Sequence, residues 1–118
     1  MITIDDFVKV EIKAGEILSV EKVESSNKLL KLSVNFGPST SSGQVNEAGI
    51  RQIISGIAKY FPDISVLVGK KCAFCTNLEP RAICGLESNG MIMAVSTEDG
   101  KFSLLEVASD IPAGTAVR

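Results

Sequence analysis

The chain has 118 residues, 45% of them hydrophobic and 22% charged, with 12 basic against 14 acidic side chains and no histidine. That length suits one domain able to bury roughly two-thirds of its unfolded surface without disulfide or metal staples. Without histidine there is no Ser-His-Asp or Cys-His constellation and no imidazole base or metal ligand, so an enzyme is disfavoured and no cofactor is expected. The net charge of −2 by itself argues against a polyanion as main partner. No apolar run approaches the roughly 20 residues of a membrane-spanning helix. The acidic start, Met1 to Phe7, lacks the basic and apolar blocks of a secretory signal, and three cysteines read as reduced thiols, so the expected compartment is the cytoplasm.

Residues 8 to 24 alternate apolar and charged side chains on both sides of Gly15, which predicts a long first strand kinked near that glycine. Ser25-Ser26-Asn27 is a turn cluster. Beyond it Leu30, Leu32, Val34 and Phe36 share one face of a half-buried second strand. Residues 37 to 49 are almost wholly Gly, Ser, Pro and small polar residues and predict a long mobile loop. Ile50 to Ser55 is a third strand, and Ile57 to Phe61 before Pro62 suits one or two helical turns. Further strands are expected at about Lys71 to Asn77 and Gly90 to Val95, then a short one over Phe102 to Val107 and a turn over Asp110 to Thr115. This order predicts an all-β chain: a five-stranded OB-fold barrel with a short helix between strands 3 and 4, in preference to an immunoglobulin-like sandwich.

Cys72-Ala73-Phe74-Cys75 has metal-ligand spacing, with Cys84 nine residues on. In a strand, positions 72 and 75 point to opposite faces, whereas ligands must converge, and no histidine completes a tetrahedron. Buried, unreactive thiols are therefore expected, and no metal site. Neighbouring carboxylates such as Asp5-Asp6 and Glu98-Asp99 read as solvated or capping acids. Charge by segment is more informative. Residues 51 to 91 carry 5 basic and 3 acidic groups, between flanks that are each net negative. A basic centre of this kind can serve a polyanion because the local field counts and not the total.

Four runs then match a family. Asp5-Asp6-Phe7 with Lys9-Val10, Ile12 and Gly15 is the first, and Ser26 to Leu32 the second. Arg51 to Ile57 follows, and then Asn77 to Arg81 with Gly85, Ser88, Gly90-Met91 and Ala94. Together they resemble the tRNA-binding domain appended to the C-terminus of bacterial methionyl-tRNA synthetases, also found as free-standing tRNA-binding proteins, over nearly the whole chain from Ile4 to Val117. The resemblance implies an OB-fold with extra terminal elements, usually a symmetric homodimer, that binds tRNA by shape without reading the anticodon and accompanies an aminoacyl-tRNA synthetase. By the same resemblance Lys28, Lys31 and Arg51 contact the RNA backbone, and Ser55, Asn77, Arg81, Ser88 and Met91 line the groove. Those residue types suit phosphates, 2′-hydroxyls and base edges. Turn chemistry is an alternative role for Asn77, Pro80 and Gly85. Two features depart from the family pattern: the loop 37 to 49 is longer, and the surface more acidic. A secretion-related chaperone branch shares the fold and would bind unfolded polypeptides. It characteristically lacks the runs present here as Lys28 to Lys31, Ser55 to Ile57 and Ser88 to Met91. A dimerisation module of a larger synthetase is the third reading.

Overall fold

A computed structural model of the protein describes residues 1–37 and 49–117. The expected loop 37 to 49 thus falls, except for its two end glycines, outside the described residues. The elements in order are a one-turn helix α1 (Ile4–Phe7), then β1 (Ile12–Lys22), β2 (Leu30–Asn35) and β3 (Ile50–Ser55). Next come two 3-10 turns (Ala58–Tyr60 and Ile64–Leu67) and β4 (Lys71–Cys75). The remainder is β5 (Arg81–Ile83), β6 (Leu86–Ser88), β7 (Met91–Ile92), β8 (Ala94–Ser96) and β9 (Phe102–Leu104). Five strands make one curled antiparallel sheet in the order β3-β2-β1-β4-β7, while β5-β6 and β8-β9 are separate hairpins. The chain is all-β, and its sheet curls as a half-barrel. The helix expected between strands 3 and 4 takes the form of the two 3-10 turns.

β1 curls the sheet because it serves two neighbours: Ile12 to Glu16 pair with β4, and Glu16 to Lys22 pair with β2. The break in register falls between Ile17 and Ser19, a bulge at Leu18 three residues beyond the expected kink near Gly15. Gly15 has a different cause. A Cβ there would stand 2.6 Å from Phe36, 2.7 Å from Val34 and 2.9 Å from Phe74, so the core ring and its neighbours approach the backbone as closely as a bare Cα permits.

The side chains inside the curl are Ile17, Leu30, Leu32, Val34, Ile53, Leu67, Cys72 and Phe74, all fully buried. Phe36 meets Phe74 edge to face at 5.3 Å. Burying a side chain of Phe74's size contributes about 2–3 kcal/mol. A second aromatic group, Tyr60 stacked on Phe102 at 3.9 Å with Phe61 edge-on to Phe102 at 5.9 Å, ties the 3-10 turns to the β8-β9 hairpin. β4 is covered on both faces, so Cys72 and Cys75 are both buried although they point opposite ways. Burial raises the Cys72 thiol to about 11, with Glu106 acting in the same sense and Lys70 against it. Cys84 departs from the expected burial: it is exposed at the β5-β6 turn. Cys84 and Gly85 both have positive φ, 50° and 78°, the two-residue hairpin connection usually written with Asn-Gly or Asp-Gly.

Candidate nucleic-acid interface

β1 and β3 run from one end of the curled sheet to the other, and β2 returns. At the first end stand the N-terminal helix, the two glycines that bound the 38–48 segment, and a cleft of about 370 Å³ lined by Glu11, Arg51, Thr76, Asn77, Pro80 and Asn89, among others. At the second end the β1-β2 turn meets the first 3-10 turn, where the Ala58 N–H donates to the Lys28 carbonyl at 3.2 Å.

The first end is held by side chains. β7 has only two residues, too few for a ladder with β3, so other groups close the seam. The Asn89 N–H donates to the Gln52 carbonyl at 2.9 Å, and the Gln52 amide donates to the Glu87 carbonyl at 2.8 Å. Ser88 is buried; its Oγ accepts from the Ile54 N–H at 3.0 Å and donates to the Gly90 carbonyl at 3.2 Å. Arg51 Nη1 donates to the Thr76 carbonyl at 2.6 Å and the Asn89 carbonyl at 3.4 Å, and the guanidinium lies 5.5 Å from the Phe36 ring centre. Its Nε is buried without a partner. Burial lowers the Arg51 pKa from its ordinary value, and Glu11 opposes the shift. Asn77 pins the N-terminal segment: its Oδ1 accepts from the Glu11 N–H at 2.8 Å and its Nδ2 donates to the Lys9 carbonyl at 2.6 Å.

The residues singled out by the sequence are therefore spread over several elements. Arg51, Asn77 and Ser88 meet around the seam, with Met91 exposed beside them through its pairing with Cys75. Ser55 lies opposite Leu30 at the second end. Lys28 precedes β2 and is exposed on the β1-β2 turn. Lys31, on β2, pairs with Glu21 at 3.5 Å. Arg81 is exposed at the start of β5, opposite Ser88. Ser88 links the groups, since it bonds the Ile54 N–H beside Ser55, Ile54 pairs with Lys31, and Ser88 itself pairs with Arg81.

Most cations are already engaged. Lys9, Lys13, Lys31, Lys70 and Lys101 each have a carboxylate within 4 Å. Lys71 donates to the Ser109 and Ile111 carbonyls at 2.8 and 2.7 Å. Among the described residues the lysine and arginine side chains without a carboxylate or carbonyl partner are Lys22, Lys28, Lys59 and Arg81. Lys59 has only the Tyr60 ring, 5.0 Å from its Nζ. Three of these four stand on adjoining segments at the second end: Lys22 closes β1 opposite Leu30, Lys28 is on the turn, and Lys59 follows Ala58. Lys22 and Lys59 were not among the residues singled out, because a lone lysine in an alternating strand or a 3-10 turn carries no signal in sequence. Among the described residues no three His, Cys, Asp or Glu side chains converge on a metal position. No helix among them is long and apolar enough to cross a membrane.

A curled antiparallel sheet of this kind defines a class of small half-barrel β domains, and comparison with known proteins narrows it. The family described as "Putative tRNA binding domain" matches residues 12–116, and the chain belongs to that family. A methionine–tRNA ligase of Caldanaerobacter subterraneus subsp. tengcongensis is 43% identical over 116 residues, covering 98% of this chain and 16% of the ligase. The chain thus spans about a sixth of the length of such relatives. The crystal structure of a MetRS-related protein from Pyrococcus horikoshii superposes with a TM-score of 0.85 at 38% identity, over 100% of this chain and 98% of that one. The chaperone CsaA of Bacillus anthracis superposes with a TM-score of 0.80 at 22% identity, over 100% and 99% of the two chains, a likeness of fold.

Proposed function

We propose that the protein binds tRNA through its shape and backbone, makes and breaks no bond, and accompanies an aminoacyl-tRNA synthetase, the methionyl enzyme by preference. Family membership together with the unpaired cations at one end of the sheet carries this reading. The curled order β3-β2-β1-β4-β7, with the β3 edge tied back to the residues before β7, supports an OB-fold, whose sheet face and connecting loops are the usual ligand platform. The whole chain acts as one binding domain in the cytoplasm. Lys28 and Arg81 meet phosphates directly, and Lys31 joins them by exchanging its surface pair with Glu21, since such pairs contribute little. Ser55 and Met91 border the bound RNA. Arg51, Asn77 and Ser88 hold the shape of the surface beside it. Two copies associate symmetrically, and the adjoining exposed side chains of Leu18, Val66 and Val68 supply an apolar surface for that contact. Joined to or held beside a synthetase, the domain raises the local tRNA concentration.

The test is a salt-titrated binding series with bulk tRNA, a single-stranded oligonucleotide and an unfolded polypeptide. tRNA binds, with log affinity falling linearly in log salt. Capture of the polypeptide with no tRNA complex at low salt moves the assignment to a chaperone of the same fold. Sedimentation at micromolar concentration checks the dimer, and a monomer there removes it.

A further inference from the structure

The second end of the sheet carries more than charge. Between the β1-β2 turn and the first 3-10 turn lies a slot of about 350 Å³, within the range of small-ligand clefts. Its walls are mainly apolar, from Val23, Leu29, Ala58, Phe61 and Pro62, and Lys22, Ser26 and Asn27 line it as well. Lys28 and Lys59 are each bonded in sequence to a lining residue, and the Lys59 ammonium lies 5.0 Å from the neighbouring Tyr60 ring centre. Lys22, Lys28 and Lys59 have no acidic partner among the described residues; of the carboxylates beside them, Glu24 lines the slot, Glu21 is paired with Lys31 and Asp63 accepts from Ser65, so the unpaired charge at the rim is net positive. Phe61 and Phe102 meet edge to face, and the Phe61 side chain also borders the slot.

A slot with apolar walls behind a cationic rim suits a ligand in which a flat, weakly polar group is joined to phosphate. Paired RNA presents backbone and groove edges outside and keeps its base faces stacked, so it reaches the lysines and leaves the slot empty. An unpaired nucleotide meets both requirements: its base lies against an aromatic and aliphatic wall, and the phosphates on either side reach the lysines. We propose that this slot takes a single unpaired nucleotide of the bound tRNA, with its base against Phe61, Leu29 and Pro62 and its flanking phosphates on Lys22, Lys28 and Lys59. The assignment rests on the tRNA-binding reading above. It adds a requirement that shape recognition alone does not impose, namely a base free to leave the stack at the contact.

The experiment measures three variants against tRNA and against a blunt, fully paired RNA duplex across a salt series. Thermal unfolding verifies that each variant is folded. Lys22→Gln and Lys59→Gln weaken both ligands and each lower the salt slope by about one unit. Phe61→Leu keeps an apolar side chain but removes the ring; it weakens tRNA by roughly tenfold and leaves both the duplex and the salt slope unchanged. Equal loss on both ligands, or none, for a folded Phe61→Leu overturns the base slot. Unaltered salt slopes in both lysine variants overturn the phosphate contacts; if Phe61→Leu does not fold, Leu29→Ala on the same wall takes its place and is judged by the same loss on tRNA with the duplex unchanged. If the unaltered protein binds no tRNA at low salt but captures an unfolded polypeptide, the tRNA reading itself fails, a result distinct from either of these.

Discussion

The two ends of the curled sheet are built from the same three strands and use their polar groups in opposite ways. From the end near the N-terminus and along the β3 edge, Asn77, Arg51, Gln52 and Ser88 direct their hydrogen bonds at backbone groups and hold a seam that two-residue β7 is too short to close. At the other end, among the described residues, Lys22 and Lys28 have no partner to hold and Lys59 has only the Tyr60 ring. The contrast teaches that a basic residue inside a family motif is not automatically a ligand contact. A planar guanidinium can bridge two carbonyls from separate segments while remaining charged, and a lysine on a turn is better suited to exchange water for phosphate.

That contrast can be broken most forcefully at the seam. Arg51→Ala strands the Thr76 and Asn89 carbonyls and removes the contact with Phe36, and Ser88→Ala leaves the Ile54 N–H buried without an acceptor. Each is expected to cost about 2–3 kcal/mol of unfolding free energy, read from urea midpoints. The salt slope of tRNA binding by the protein that remains folded stays unchanged. A full drop of one unit in slope with unaltered stability would instead make Arg51 a phosphate contact.

A somewhat smaller effect comes from pH. The Cys72 thiol has its pKa raised from 9.0 to about 11 in the folded protein, so folding favours the neutral form. The associated stability is complete below pH 9 and is lost as pH rises from about 9 to 11, a decline on the order of 2 kcal/mol. Unfolding midpoints between pH 8 and 11 measure it. The same contrast of exposure predicts rapid maleimide labelling of Cys84 and protection of Cys72 and Cys75 until the protein unfolds.

The smallest expected effect sharpens the lysine end. Glu21→Gln releases Lys31 from its 3.5 Å pair. It changes stability by less than about 1 kcal/mol and raises tRNA affinity by a few-fold at low salt. Weaker binding in this variant would show that the pair orders Lys31 for its contact.

The alternation of Leu30, Leu32, Val34 and Phe36 and the compact run Ile50 to Ser55 placed β2 and β3 within a residue of where they stand, because burying one face of a strand imposes a period of two. The β5-β6 hairpin was not legible. Its strands have three residues each, and its turn carries Cys-Gly where Asn-Gly or Asp-Gly would have signalled it. The expected strand from Gly90 to Val95 is broken into β7 and β8 at Met93, whose N–H donates to the Ala73 carbonyl and whose carbonyl accepts from the Leu105 N–H. Such a partner change depends on residues far away in the chain.

The amino-acid sequence by itself determined the all-β class, the family and the types of side chain available for RNA, because these follow from local periodicity and from runs of adjacent residues. Only the tertiary structure decided which of those side chains are free. Whether Arg51 clasps carbonyls or Lys59 lacks a carboxylate depends on which backbone and carboxylate groups the fold brings within hydrogen-bond reach, and residues 25 to 66 positions apart supply most of those partners.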